Sequence, residues 1–251
     1  SYYIYGQENP VLFIYNTDEF DEWIMDSYLM NSAYQGQFDY WDVPYFGEVP
    51  LEVLNGYAGV VEITGSYGPW ADNSDAIRTW YESGDKGYVL AGADYLWVTL
   101  DASEEELSPG SFHYDILGVL QAHHDVEVDG NTDYGWITRL MVNDDEPITN
   151  DLNEFLGDTL VLNYDPNHEL GMPNWIDGIE RVDDSYPALF TGHGGTVDDQ
   201  GNIPDAVEYF DMSTHIVHDN QSKVVFYPFD PLATNTSAVG ANPYEHDEGY
   251  H

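Results

Sequence analysis

Oxygen-bearing side chains gather where the apolar runs of this chain end. Asn16, Thr17 and Asp18 follow Val11-Leu12-Phe13-Ile14-Tyr15, Asp42 lies near the close of a run over 38–43, Ser66 and Tyr67 follow Gly59-Val60-Val61-Glu62-Ile63, and Asp94 follows Gly87-Tyr88-Val89-Leu90-Ala91. If those runs are parallel strands, their ends converge on one edge, where open α/β sheets bind ligands. Asp18, Asp42, Ser66, Tyr67 and Asp94 then form a candidate ligand crevice, acidic and oxygen-rich, suited to a cation or a sugar. Two of its carboxylates within about 5 to 10 Å would suit hydrolysis, with Asp94 or Asp42 as general base. The plainer role for Asp18 and Asp94 is helix capping. His123-His124-Asp125 and His215-x-x-His218 carry groups that suit Zn²⁺ or Mn²⁺. Adjacent histidines point in different directions, however, so surface hydrogen bonding is the simpler expectation. Gly192-His193-Gly194-Gly195 lacks the spacing of a dinucleotide loop, and Ser66 is not in a G-x-S-x-G elbow.

The elements that would position these groups alternate through the first hundred residues. After the first apolar run, Asn16-Thr17-Asp18 is a natural cap. Phe20, Trp23, Ile24, Tyr28 and Leu29 then recur at spacings of three and four, the face of a helix over 19–35. A second strand over 38–43 stops at Pro44, a short helix over 50–55 leads to the third strand, and a helix over 73–83 turns Ile77 and Trp80 inward before the fourth. Strands alternating with helices predict a parallel sheet covered on both faces. Further along, 110–122 reads as a helix with Phe112, Ile116, Leu117 and Leu120 on one side, and 125–143 reads as a hairpin about Asp129-Gly130. Strands are expected over 159–163 and 188–190, and antiparallel ones over 207–210, 214–217 and 223–227, closing one sheet edge. The fold class is α/β, flavodoxin-like and mainly parallel, with an antiparallel extension in the C-terminal half. Residues 1–9 form an aromatic segment, 10–232 the α/β domain, and 233–251 a polar tail.

Composition removes whole classes of function. The 251 residues carry 47 acidic and 5 basic side chains, a net charge of −42. Phosphate-directed nucleic-acid binding needs clustered Lys and Arg, so nucleic acid is excluded, and an anionic lipid surface repels such a chain. No run is long and apolar enough to span a bilayer. Cysteine is absent, which removes thiol nucleophiles, thiolate metal sites and disulfides. The acidity reads as a distributed solvated coat suited to high salt; carboxylates binding Ca²⁺ are the other reading, although no loop matches the D-x-[DN]-x-[DN]-G pattern. Ca²⁺ is therefore the one cofactor to consider. A chain opening at Ser1 without Met is expected to be a processed or excised product. Asn220-Gln221-Ser222 and Asn235-Thr236-Ser237 are glycosylation sequons, in keeping with an extracellular or cell-surface location. Twenty-one Tyr and seven Trp exceed what a core of this size needs, and supply rigid contact area for a glycan, a protein or a second copy. Tyr2, Tyr3 and Tyr5 form a β-prone segment that could pair with a neighbouring sheet edge or lie across its own domain.

Particular motifs bring a family into view. Gly87-Tyr88-Val89-Leu90-Ala91-Gly92-Ala93-Asp94-Tyr95-Leu96 resembles the "G-[YLF]-[LF]-L-S-G-Q-D-Y-L" segment of class I glutamine-amidotransferase-like modules of large secreted bacterial proteins. Phe112-His113-Tyr114-Asp115-Ile116-Leu117-Gly118-Val119 is similar to their "F-x-Y-D-Y-L-G-V" segment, and Ala188–Gly192 and Val224–Phe229 stand where "A-x-L-x-F-x-G" and "V-V-F-x-x-F-P" would. The resemblance runs from about residue 10 to 232 and implies a flavodoxin-like sheet. A working member carries a Cys on a sharp G-x-C-x-G turn; here Asp94 stands in its place, and a carboxylate at a helix amino terminus is a stable anion and a poor attacker of an amide. The family's catalytic His and Glu lie in "F-H-P-E", which reads Phe226-Tyr227-Pro228-Phe229 here. The resemblance thus implies a module without glutamine hydrolysis. A structural or adhesive extracellular module, one able to assemble with itself, is the leading expectation; a hydrolase at the crevice and a Ca²⁺-stabilised binding domain are the others.

Overall fold

The computed structural model describes residues 8–17, 38–65, 67–124, 126, 137–143, 159–162, 176–183, 188–194, 207–231 and 234–235. Two sheets organise them. The first runs through β1 (Val11–Tyr15), β2 (Phe38–Asp42), β3 (Gly59–Gly65), β4 (Gly87–Gly92), β11 (Thr214–Val217) and β12 (Lys223–Tyr227), in the spatial order β11-β12-β4-β3-β1-β2. All its pairings are parallel except β11 on β12. Reading β12 as the fifth strand gives 2-1-3-4-5, the flavodoxin-like doubly wound order. The α/β expectation therefore stands on the strand order itself.

Alternation along each strand makes the two faces. Leu12, Ile14, Val60, Tyr88, Leu90, Val224 and Phe226 face one side, where α3 (Ser74–Glu82) buries Ile77, Trp80 and Tyr81 against them. Trp80 is fully buried and gives its indole N–H to the Tyr57 carbonyl at 3.1 Å, so its one polar atom is satisfied. Phe13, Tyr15, Ile63 and Ala91 pack together on the opposite side. Two one-turn helices, α1 (Val43–Phe46) and α2 (Leu51–Leu54), carry the chain from β2 back to β3.

The second half departs from the sequence expectation in several places. First, 110–122 is not one helix: only α5 (Phe112–Asp115) forms, and β5 (Val119–His123) comes next. Gly118 sits at φ 71°, a left-handed turn that ends the helix, and a Cβ there would strike the Ile216 side chain. Second, the antiparallel extension is a separate seven-stranded sheet, ordered β13-β7-β6-β9-β10-β8-β5. It comprises β5, β6 (Ile137–Val142), β7 (Thr159–Leu162), β8 (Gly178–Arg181), β9 (Phe190–Gly194), β10 (Val207–Asp211) and β13 (Thr234–Asn235). Third, the strand over 223–227 is the parallel partner of β4 inside the first sheet, and only β11 closes its edge. The run expected at 188–190 begins instead at Phe190 and passes through the glycine-rich stretch. Thr234 and Asn235, inside the polar tail, pair with β7. The helix expected over 19–35, the Asp129-Gly130 turn and the Tyr2–Tyr5 segment lie outside the described residues.

Candidate functional site

Each parallel strand delivers a polar residue to the carboxyl edge, and neighbouring chain decides what that residue can do. Asp42 caps α1, its Oδ1 accepting from the Tyr45 amide at 3.2 Å. Asn16, fully buried after β1, is consumed by structure. Its Oδ1 accepts from the Ala71 amide (3.0 Å), and its Nδ2 donates to the Ala71 carbonyl (2.8 Å) and to Glu62 Oε1 (2.6 Å). Asn16 thus ties the end of β1 to β3 and to the loop after it, at the point where the strand order reverses. Asp18 and Ser66 lie outside the described residues.

Beneath that stitch sits a group the sequence alone did not single out. Glu62 is 2% exposed on β3, and accepts from Asn16, from Asn73 Nδ2 (2.8 Å) and from the Tyr88 hydroxyl (2.7 Å). Burial pushes its carboxyl pKa up, against three hydrogen bonds that pull it down. Asn73 gives up capping α3 to serve it: the Asn73 oxygen accepts from the Val49 amide, and Asp72 accepts from Ser74 N instead. A Glu inside Val60-Val61-Glu62-Ile63 was the available signal, because a charge within a strand covered on both faces needs partners.

Asp94 occupies the sharpest turn of the edge. It is 7% exposed with φ 53° and ψ 2°, left-handed, between β4 and α4 (Tyr95–Thr99), and its side chain makes no capping hydrogen bond. The turn is built by close approach, since a Cβ on Gly92 would collide with the Thr64 hydroxyl and Ala93 N donates to the Gly65 carbonyl at 2.8 Å. Asp42 and Asp94 end strands three places apart, about 14 Å at ordinary strand spacing, so the crevice does not bring that pair within hydrolytic range. Asp230, fully buried, follows β12, the strand next to β4.

The histidines diverge as expected of neighbours. His123 meets Glu180 at 3.1 Å and lies against Phe210. His124 is buried, with Nδ1 2.9 Å from Asp177 Oδ1, Nε2 3.2 Å from the Ser103 carbonyl and its ring against Trp97. Both ring nitrogens face acceptors, which requires both to donate, as the imidazolium does. Burial opposes that charge, but the hydrogen bond and charge of Asp177 outweigh it and raise the pKa. Among the described residues no three His, Asp or Glu side chains converge on a metal-sized site. Of the sequons, Asn220 sits in a tight turn with Nδ2 on the Tyr81 carbonyl (3.1 Å) and Oδ1 on Ser222 N (2.9 Å), and Asn235 lies in β13.

What the edge does expose is aromatic. Tyr45, Phe46, Tyr67, Trp70, Trp97 and Val98 are the large apolar side chains that the described residues leave exposed, from 40% for Tyr67 to 77% for Tyr45. Every one lies beyond the carboxyl end of β2, β3 or β4. The three segments are joined: Asn73 bonds Val49, and a Cβ on Gly68 would press into Val98. Tyr67 is the one member that the sequence points to; the others stay hidden, because a surface Trp and a core Trp read alike.

No family model and no curated protein matches the sequence. Among solved structures, a ThuA-like protein from Bacteroides uniformis is similar over 93% of this chain and 88% of that one, at 14% identity and a TM-score of 0.44. The flavodoxin-like fold rests on the strand order.

Proposed function

We propose that this chain is a non-catalytic structural or adhesive module of an extracellular or cell-surface protein, making its contacts through the aromatic rim on the carboxyl edge of the parallel sheet. The observation that carries this reading is the confinement of all six exposed large apolar side chains, among the described residues, to that one edge. A monomer scatters such residues; a contiguous group of them marks a contact surface. The amidotransferase resemblance supports it from the other side. Asp94 stands at the nucleophile position, Tyr227 and Phe229 stand for the His and Glu, and Asn16, where the strand order reverses, is held by Ala71 and Glu62. A partner can be a second copy, a protein or a glycan, and between two copies salt would have to screen the repulsion of −42 on each.

The test is sedimentation of the chain and of a Tyr45→Ala/Trp70→Ala/Trp97→Ala variant across salt and Ca²⁺, alongside binding to parent-protein fragments and surface glycans. Association or binding that the variant loses supports the rim. Contacts unchanged by the variant, or no contact under any condition, overturn it.

A hydrolase is the second reading, favoured by one observation: Asp94 is held left-handed and buried at an elbow, with Asp230 buried beyond the neighbouring strand. Strain of this kind gathers at active sites. Hydrolysis of a peptide or glycoside that Asp94→Asn and Asp230→Asn each abolish, with unchanged folding, would establish it.

A further inference from the structure

The charge of the molecule is not spread evenly about the parallel sheet, and the asymmetry bears on what the rim can hold. Lys86 and Lys223 stand at the amino ends of β4 and β12. Arg78 is tied to Asp115 at 3.0 Å and Arg181 to Asp211, while Arg139 belongs to the other sheet. None of the five basic residues of the chain lies within the segments 43–49, 67–73 and 95–104 that carry the rim. The rim instead carries exposed carboxylates beside its rings: Glu48 and Asp72 on the segments that the Asn73–Val49 bond joins, and Asp101 and Glu104 after α4. Glu104 accepts from the His124 amide at 2.9 Å and the His124 ring meets Trp97, so this carboxylate and an exposed indole share His124 as a neighbour.

We infer that the rim recognises a cationic polypeptide segment, one rich in Arg or Lys. This rests on the rim being the contact surface and names the chemistry of its partner. Aromatic faces attract guanidinium and ammonium groups through the ring quadrupole, and a nearby carboxylate adds a charge-assisted hydrogen bond to the same cation. The molecule already contains the first half of this arrangement, with the Lys86 ammonium 5.5 Å from the centre of the Trp80 ring. Arginine is favoured over lysine, because its flat, weakly hydrated head can stack on an indole while bonding a carboxylate. Long-range attraction to −42 brings any cation close; only the rings give that attraction a place.

The experiment titrates the chain with hexa-arginine, hexa-lysine and a neutral hexasaccharide by calorimetry at about 0.15 M salt, where bare charge attraction is screened beyond about 8 Å. It is repeated with Trp70→Ala/Trp97→Ala, which leaves the net charge unchanged, and folding of the variant is checked by its urea midpoint. The expected result is that hexa-arginine binds more tightly than hexa-lysine and that the variant loses about tenfold in affinity. Hexa-arginine binding that the variant leaves intact overturns the proposal, since the charge coat alone then holds the peptide. Hexasaccharide binding lost in the variant, without a tryptophan-dependent peptide contribution, also overturns it while keeping the rim as the contact surface. No ligand responding to the variant removes both.

Discussion

The two edges of the parallel sheet are built from the same five strands and solve opposite problems. At the amino edge, side chains are spent on closing the fold. Asp39 accepts from the amides of Glu8 and Asn9, from the Asn9 side chain and from the Tyr57 hydroxyl, and these bonds hold its carboxyl below the usual range against the desolvation that opposes them. Lys86 reaches the Tyr57 carbonyl and the Trp80 ring, and Ser222, fully buried, donates to the Tyr81 carbonyl while accepting from Lys86 N. At the carboxyl edge Asn16, Glu62, Asn73 and Asp94 are buried below the surface, while the rings and the carboxylates of Glu48, Asp72, Asp101 and Glu104 face outward. An edge that only had to be stable would not need that distribution. Under the proposed reading the carboxyl edge gives up local stability and solubility for a contact surface, and substitutions at the two edges test that division, from the largest expected effect down.

Glu62 is the foundation of the carboxyl edge and should show the largest effect. Glu62→Ala leaves the Asn16 and Asn73 amides and the Tyr88 hydroxyl without their acceptor inside the core. A loss of about 4 kcal/mol is expected in the urea-unfolding free energy, with Glu62→Gln retaining part of it. The amino-edge counterpart, Asp39→Ala, removes bonds that are partly solvated and should cost about 1 kcal/mol. Equal losses would dissolve the distinction between the edges.

One strand offers a cleaner contrast, because β4 begins and ends in glycine. A Cβ on Gly92 meets the Thr64 side chain and comes within 3.0 Å of the Gly65 carbonyl, both at the end of β3 beside the elbow that carries Asp94. Gly92→Ala should destabilise by about 2 to 3 kcal/mol. A Cβ on Gly87 meets nothing within 4 Å, and Gly87→Ala should be neutral or stabilising by about 0.5 kcal/mol through the unfolded chain. Thermal midpoints of the two variants are sufficient to read the difference.

Two histidines near α4 should give the stability a pH signature with opposite signs. His113 is buried and its pKa is lowered to about 4, first by desolvation, with Arg78 acting in the same sense and Asp72 against it. Its fold contribution is therefore complete above about 6.5 and lost as the pH falls toward 4, about 3 kcal/mol at most. His124 behaves inversely. Its pKa is raised, so its contribution is complete below about 6.5 and fades as the pH rises through the higher folded value. Urea unfolding between pH 4 and 9 should show the acid loss flattened in His113→Phe and the alkaline loss flattened in His124→Gln. A profile that keeps both limbs in both variants would assign the pH dependence elsewhere.

The legibility of the chain divides along the same lines. β1, β3 and β4 are legible because each is a short apolar run set off by helical spacing, and their carboxyl ends can be named from it, Asp94 among them. Between 110 and 122 the spacing of Phe112, Ile116, Leu117 and Leu120 imitates a helix, but Gly118 turns left-handed and β8 supplies a pairing partner for β5. That partner is four residues long and about sixty residues away, so nothing local announces it. The bonding at the carboxyl edge was hidden for a related reason. Asn16 does stand at the edge, yet its bonds to Ala71 and Glu62 depend on a loop that composition does not describe. The rim was hidden most fully: Trp70 is 45% exposed and Trp80 is fully buried ten residues later, and only the packing separates them.

The smallest expected effect is also the one that most sharpens the comparison. Trp70 and Trp97 project from the carboxyl edge at 45% and 42% exposure, so replacing them with Ala removes apolar area that folding leaves largely in water. A surface tryptophan kept for stability would lose about 1 kcal/mol or more on truncation, whereas one kept for contact should change folding by no more than about 0.5 kcal/mol. Trp80→Ala is the control, a fully buried ring of the same type whose loss should cost about 3 to 5 kcal/mol. Near-zero values for the first two beside a large one for the third would mean that the chain maintains two large exposed rings its own fold does not use. A loss at Trp97 approaching that at Trp80 would instead make its ring part of the seam with His124, and the contact surface would shrink to the segments after β2 and β3.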